Sequence, residues 1–229
     1  MGLSISKLAL ETGVEEDAGE VEAFYEQKVA PPPEVEGPIL VVQADGKGVP
    51  MLRAEPAAKP ARLSKGQKRT KKKEAVVTAL STIEPYHRTP QEVVGALLRD
   101  LGGDEEAHRT SPAQPQRPVP VGKEVRATLG GKDMAFDRLA RRVAQREGEH
   151  IQHRVALTDG AEPLQDQFRD KLPQFTLVLD IIHASEYLWN AANAVLGETH
   201  PDRTIWVGEQ LWHILSGKTT AVIQTSKSF

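Results

Sequence analysis

Residues 154–196 read RVALTDGAEPLQDQFRDKLPQFTLVLDIIHASEYLWNAANAVL, and they hold one structural unit twice over. Arg154 to Thr158 is a short, largely apolar run that stops at Asp159-Gly160, and Leu164, Phe168 and Leu172 follow at four-residue spacing. This predicts a strand, an Asp-Gly turn and a helix with one apolar face. The unit then repeats. Thr176 to Leu179 stops at Asp180, and Tyr187, Leu188, Ala191, Ala192 and Val195 mark a helix over Ala184 to Leu196. Strands alternating with helices pair in parallel, because a crossover helix returns the chain to the same end of the sheet.

Toward the N-terminus the pattern changes. Ile39 to Val42 is a β-branched run that meets Asp45-Gly46, and Val49, Met51 and Leu52 resume the apolar character as the second arm of a hairpin would. Arg62 to Lys73 carries seven Lys or Arg and no acid, then runs into a predicted strand over Glu74 to Leu80. Thr89-Pro90 caps a helix over Gln91 to Leu101. Helices are also predicted over Glu15 to Ala30, stopped by Pro31 to Pro33, over Lys132 to Glu149 and over Ile205 to Leu215. Gly102 to Gly122 is Pro-rich and reads as a poorly ordered connector. The expected architecture is α/β, a mixed sheet flanked by helices, with residues 1–36 a helical and linker segment and 37–229 the core.

Composition narrows the chemistry. The chain has 229 residues, 39% of them hydrophobic and 5% aromatic, so a core is feasible but aliphatic residues must fill it. The formal charge of -3 does not decide about nucleic acid; the local cation cluster must. With no cysteine, thiolate metal sites and thiol nucleophiles are excluded, and any metal must sit on carboxylate or imidazole. There is no apolar run of the roughly 18 residues needed for a membrane span and no signal-peptide pattern, which leads us to expect a soluble, cytoplasmic protein without a membrane partner. Neither a phosphate-binding GxxxxGK loop nor a Gly-x-Ser-x-Gly elbow is present.

What remains are three aspartates, Asp45, Asp159 and Asp180, each following an apolar run. Carboxylates gathered at strand ends repel one another, and a divalent cation relieves that repulsion. Two such ions about 3.5 to 4 Å apart activate a water or a 3'-hydroxyl and stabilise the leaving oxygen of a phosphodiester. Taken singly, each aspartate also reads as ordinary turn chemistry.

Four blocks in order, VVQADGKGVP at 41–50, KRTKKKEAVVT at 68–78, VALTDGA at 155–161 and LVLDIIHASEYLW at 177–189, resemble bacterial insertion-sequence transposases. The resemblance is to the DDE group with a ribonuclease-H-like core, related in pattern to Mutator-like transposases. It implies Asp45 and Asp159 as catalytic residues holding two Mg2+ or Mn2+ ions. The family's Cys-x-x-His motif after the fifth strand corresponds here to Asp180-Ile181-Ile182-His183, with Asp in place of Cys. Its third acid is a glutamate on a later helix. Glu186 is the local substitute, Glu198 and Glu209 are less well placed, and truncation of a longer transposase is the expectation that follows.

The resemblance also implies DNA as partner, contacted by Lys65, Lys68, Arg69, Lys71, Lys72 and Lys73, and association with itself or with an intact transposase. Without it, that segment reads as a solvated, lysine-protected strand edge. Arg138, Arg141, Arg142 and Arg146 extend the cationic track or form a charged helix face. His183 is either a partner of the carboxylates and DNA backbone or a structural histidine, and Trp189, Trp206 and Trp212 read as core. Two alternatives stand beside the transposase. One is an inactive remnant that only binds DNA or an intact transposase, and the other is a ribonuclease-H-like nuclease.

Overall fold

The computed structural model describes residues 6–51, 72–98 and 117–227. Its elements are α1 (Lys7–Gln27), β1 (Ile39–Pro50), β2 (Lys72–Ile83), α2 (Pro90–Leu98), β3 (Val121–Thr128), α3 (Lys132–Ala144), β4 (His153–Thr158), α4 (Glu162–Lys171), β5 (Thr176–Leu179), α5 (Ile181–Leu196), α6 (Arg203–Leu215) and α7 (Thr219–Lys227). One mixed sheet runs in the order β3-β2-β1-β4-β5. The β3-β2 and β2-β1 pairs are antiparallel, while β1-β4 and β4-β5 are parallel. Among the described residues no helix is long and apolar enough to cross a membrane.

Leu40, Val42 and Ala44 alternate along β1 and are buried, as are Val76 and Leu80 of β2 and Ala156 of β4. Phe136, Leu139 and Val143 of α3 and Leu164 and Phe168 of α4 close over this face. The Phe136 and Phe168 rings meet edge to face at 4.8 Å, a geometry that contributes about 0.5 to 1.5 kcal/mol beyond burial. A second apolar cluster joins Leu188 and Ala192 of α5, Val207 and Leu211 of α6 and Val222 of α7 to Val94 and Leu97 of α2. Trp189 and Trp206 pack against it as expected, while Trp212 is half-buried outside it. The other sheet face, with Val41, Val77, Ala79, Val155 and Leu157, is only half buried.

Several expectations are corrected. The chain does not turn at Asp45-Gly46: β1 continues to Pro50, and its hairpin partner is β2, from Ile39 opposite Ile83 to Pro50 opposite Lys72. The glycines that suggested a turn instead clear space, since a Cβ on Gly46 would lie 2.7 Å from Glu74 Oε1 and one on Gly48 3.1 Å from the Lys72 side chain. Strand β3 begins inside the expected connector, at Val121; residues 102–116 of that connector lie outside the described residues. Helix α1 starts earlier, where Ser6 Oγ accepts from Ala9 N, and it buries no residue; Val21 and Phe24 are exposed. It is tethered by polar contacts: Glu22 meets Arg126 and Arg138, each at 2.9 Å, and Tyr25 OH donates to Val125 O at 2.6 Å. At α2, Thr89 and Glu92 exchange bonds in a capping box, and those donated by Thr89 hold the Glu92 carboxyl below its usual pKa.

Of the arginines of α3 and the turn after it, Arg138, Arg142 and Arg146 are held in ion pairs rather than forming a free track, and Arg141 is exposed. Arg146 is fully buried; its Nε donates to Glu36 Oε1 at 2.6 Å, and its other nitrogens donate to Thr82 Oγ1, Val121 O and Gly122 O. The other Glu36 oxygen meets His150 Nε2 at 3.0 Å. Arg142 is likewise buried against Glu124 and donates to Lys28 O. Removing one member of a buried pair strands the other's charge. Arg146→Ala is therefore expected to lower stability by about 3 to 5 kcal/mol. Arg154→Ala, which removes a partly exposed pair with Glu147, is expected to cost at most about 1 kcal/mol. Urea denaturation of both variants checks the contrast.

Candidate active site

Strand register sets the level of each acid. Gln43 of β1 lies opposite Leu157 of β4, and Thr158 of β4 lies opposite Leu179 of β5. Continuing by one or two residues brings Asp45, Asp159 and Asp180 to the same level at the C-terminal ends of the β1-β4 and β4-β5 pairings. Neighbouring strands lie about 4.8 Å apart. Side chains alternate between faces, so Asp45 and Gln43 point away from the buried face of Leu40, Val42 and Ala44. The result is an open cleft of about 230 Å³ lined by Asp45, Asp159, Asp180 and His183. Gln43, Val77, Ala79 and Leu157 form its floor.

Each acid is held differently. Asp45 sits within β1, exposed, and its carboxylate has no hydrogen-bond or ion-pair partner among the described residues. Asp159 directly follows β4; its Oδ1 accepts from Ala161 N at 2.9 Å, and Thr158 Oγ1 accepts from Gly160 N at 3.2 Å. Gly160 takes φ +94°, which lets the chain turn from β4 into α4 where a side chain would be strained. Asp180 is the N-cap of α5, with Oδ1 accepting from Ile182 N at 2.8 Å, and its own N donates to Thr158 O at 2.9 Å. Both turns leave the second carboxylate oxygen uncommitted.

His183, one turn into α5, reaches the cleft, and its Nδ1 lies 3.3 Å from Glu186 Oε2. Glu186 itself is 63% exposed and is not part of the cleft wall. The sequence-predicted residues thus separate: Asp45, Asp159, Asp180 and His183 come together, and Glu186 stands behind His183. Lys72 and Lys73 open β2 and are exposed, while Lys65, Lys68, Arg69 and Lys71 lie outside the described residues.

Hard carboxylate oxygens on three adjacent strands suit a magnesium- or manganese-sized ion. Among the described residues, however, no three His, Asp or Glu side chains are gathered closely enough to enclose one metal ion. Asp180 turns one oxygen to Ile182 N in the first turn of α5, and Asp159 turns one to Ala161 N in the turn that leads into α4. Sequence reasoning missed the floor residues and Lys47, which follows Asp45 by two positions on the same face; the alternation of β1 would have placed them once the strand was known to continue. No family model matches this chain, and neither a curated protein nor a solved structure was found that is similar to it.

Proposed function

We propose that the cleft performs divalent-metal-dependent cutting and transfer of DNA strands, as a DDE transposase with a ribonuclease-H-like core does. The observation that carries this reading is the single level shared by Asp45, Asp159 and Asp180. A sheet of three antiparallel strands extended by two parallel ones is compatible with that core and supports it. So do the four sequence blocks, two of which supply the cleft acids.

Two bound Mg2+ or Mn2+ ions would supply an activated oxygen nucleophile and charge compensation at the leaving oxygen. The chain's own residues account for the remaining requirements. Asp45, free of internal partners, would hold the ions together with Asp159 and Asp180, each of which keeps one oxygen on a nearby backbone N–H, of Ala161 and of Ile182, and leaves the other available. His183 is positioned to donate to a phosphate oxygen at the cleft rim. The third acid in this reading is Asp180 in place of Glu186, because Asp180 lines the cleft and Glu186 does not. A second reading, DNA binding without catalysis, draws on the absence of a closed three-acid group among the described residues.

Nicking of supercoiled plasmid separates the two. The chain is expected to nick with Mg2+ or Mn2+ and not with EDTA, and Asp45→Asn or Asp159→Asn is expected to slow nicking by about a hundredfold or more. Activity that survives either substitution, or that needs no metal, would refute the assignment. Asparagine caps helices as well as aspartate does, so Asp180→Asn keeps α5 while losing a charge. It is expected to fall as far as Asp45→Asn, with Glu186→Gln within about twofold of wild type on a scale where one catalytic contact contributes about a hundredfold. The opposite ranking would return the third acid to Glu186.

A further inference from the structure

The continuation of β1 past Asp45 builds an element that no sequence motif marks. Strand β4 pairs with β1 only as far as Gln43, and β3 pairs with β2 only from Val76 onward. Lys47–Pro50 and Lys72–Ala75 therefore pair only with each other and project beyond the five-stranded sheet as a two-stranded ribbon.

The two faces of this ribbon differ. Gly46, Gly48, Lys72 and Glu74 share one face, shown by the close approach of the Glu74 and Lys72 side chains to the glycine positions, and there Glu74 is paired with Lys132 of α3. The opposite face continues the row that ends at Asp45 and carries Lys47, Val49 and Lys73, with Val49 opposite Lys73. Lys47 is one strand repeat beyond Asp45, about 7 Å, and Lys73 is level with a point about 14 Å beyond it. Lys47 and Lys73 are diagonal neighbours, about 7 to 8 Å apart. Both are exposed, and neither has an acidic partner among the described residues.

We propose that Lys47 and Lys73 form a phosphate track in which the ribbon holds the DNA backbone immediately beside the phosphodiester presented to the acid row. This rests on the reading of the cleft as a DNA-cutting site, and it adds the surface that binds the substrate and the direction in which the strand leaves the cleft. A lysine placed only to protect a strand edge has no reason to share a face with the three acids. Regularly stepped cations next to an anionic site instead meet the requirement of a polyanion: they offset the repulsion between the carboxylates and the flanking phosphates, and they act without regard to base sequence.

The test uses the full chain in EDTA, so that binding is read without cleavage. Anisotropy of a fluorescent duplex of about 20 base pairs is followed from about 0.05 to 0.2 M salt. Lys47→Gln and Lys73→Gln are each expected to reduce the slope of log K against log salt by about 0.9 and to weaken binding roughly five- to tenfold near 0.1 M salt, equally for unrelated sequences. Lys218→Gln, beside Trp212 in the helical layer, is expected to match wild type. If wild type binds but neither substitution changes slope or affinity, the track is refuted, while metal-dependent nicking by wild type continues to support the cleft. Failure of wild type to bind duplex at the lowest salt, or tighter binding of polyglutamate than of DNA, overturns the proposal; the second result assigns the ribbon to an acidic protein partner.

Discussion

The parallel ladder between β1 and β4, with Val42 opposite Ala156 and Gln43 opposite Leu157, is the constraint on which the rest depends. Strand side chains alternate with a period of two, so a slip of one residue would turn every β4 side chain to the wrong face. Ala156 would leave the core under α3 and α4, and Asp159 would leave the level of Asp45. Core formation and site formation are therefore one choice of register. The buried face of Leu40, Val42 and Ala44 stabilises the pairing that Asp45 and Asp159 use on the other side.

The buried ion pairs complete the frame around that ladder. Arg146 ties Glu36, just before β1, to Thr82 at the end of β2 and to the start of β3. Arg142 ties Glu124 of β3 to Lys28 O in the segment after α1. Burying guanidinium and carboxylate costs desolvation energy, and extensive hydrogen bonding is what makes it tolerable. In return the antiparallel half of the sheet is fastened at the end away from the ribbon. At that end Gly37 is held against the Ile83 backbone so closely that a Cβ would lie 2.4 Å from its carbonyl carbon.

The second half of the fold was legible because its signals are local. RVALTDG and TLVLD each pair a short apolar run with a turn acid, and β4 and β5 lie where those runs do. The hairpin was misread because Asp-Gly reports a turn only when the strand needs to end, and in β1 the two glycines instead make room for side chains from β2. Strand β3 was hidden because VGKEVRAT alternates apolar and charged residues beside a Pro-rich run, and its burial comes from long-range pairs with Arg142 and Arg146. The convergence of Asp45, Asp159 and Asp180 is likewise non-local: sequence named all three, but only the register shows that Asp180, and not Glu186, faces the cleft. The apolar residues of α1 have helical spacing but are exposed, and the helix is held by Glu22 and Tyr25.

The central claim is that Asp45, Asp159 and Asp180 together hold a divalent cation. Anomalous diffraction from crystals of the full chain soaked in Mn2+ tests it most directly. The account predicts a peak between the Asp45 and Asp159 carboxylates, with an Asp180 oxygen turned toward it, and loss of that peak in Asp45→Asn crystals. Manganese bound at other carboxylates with none between Asp45 and Asp159, in a lattice that leaves the cleft open, would contradict it.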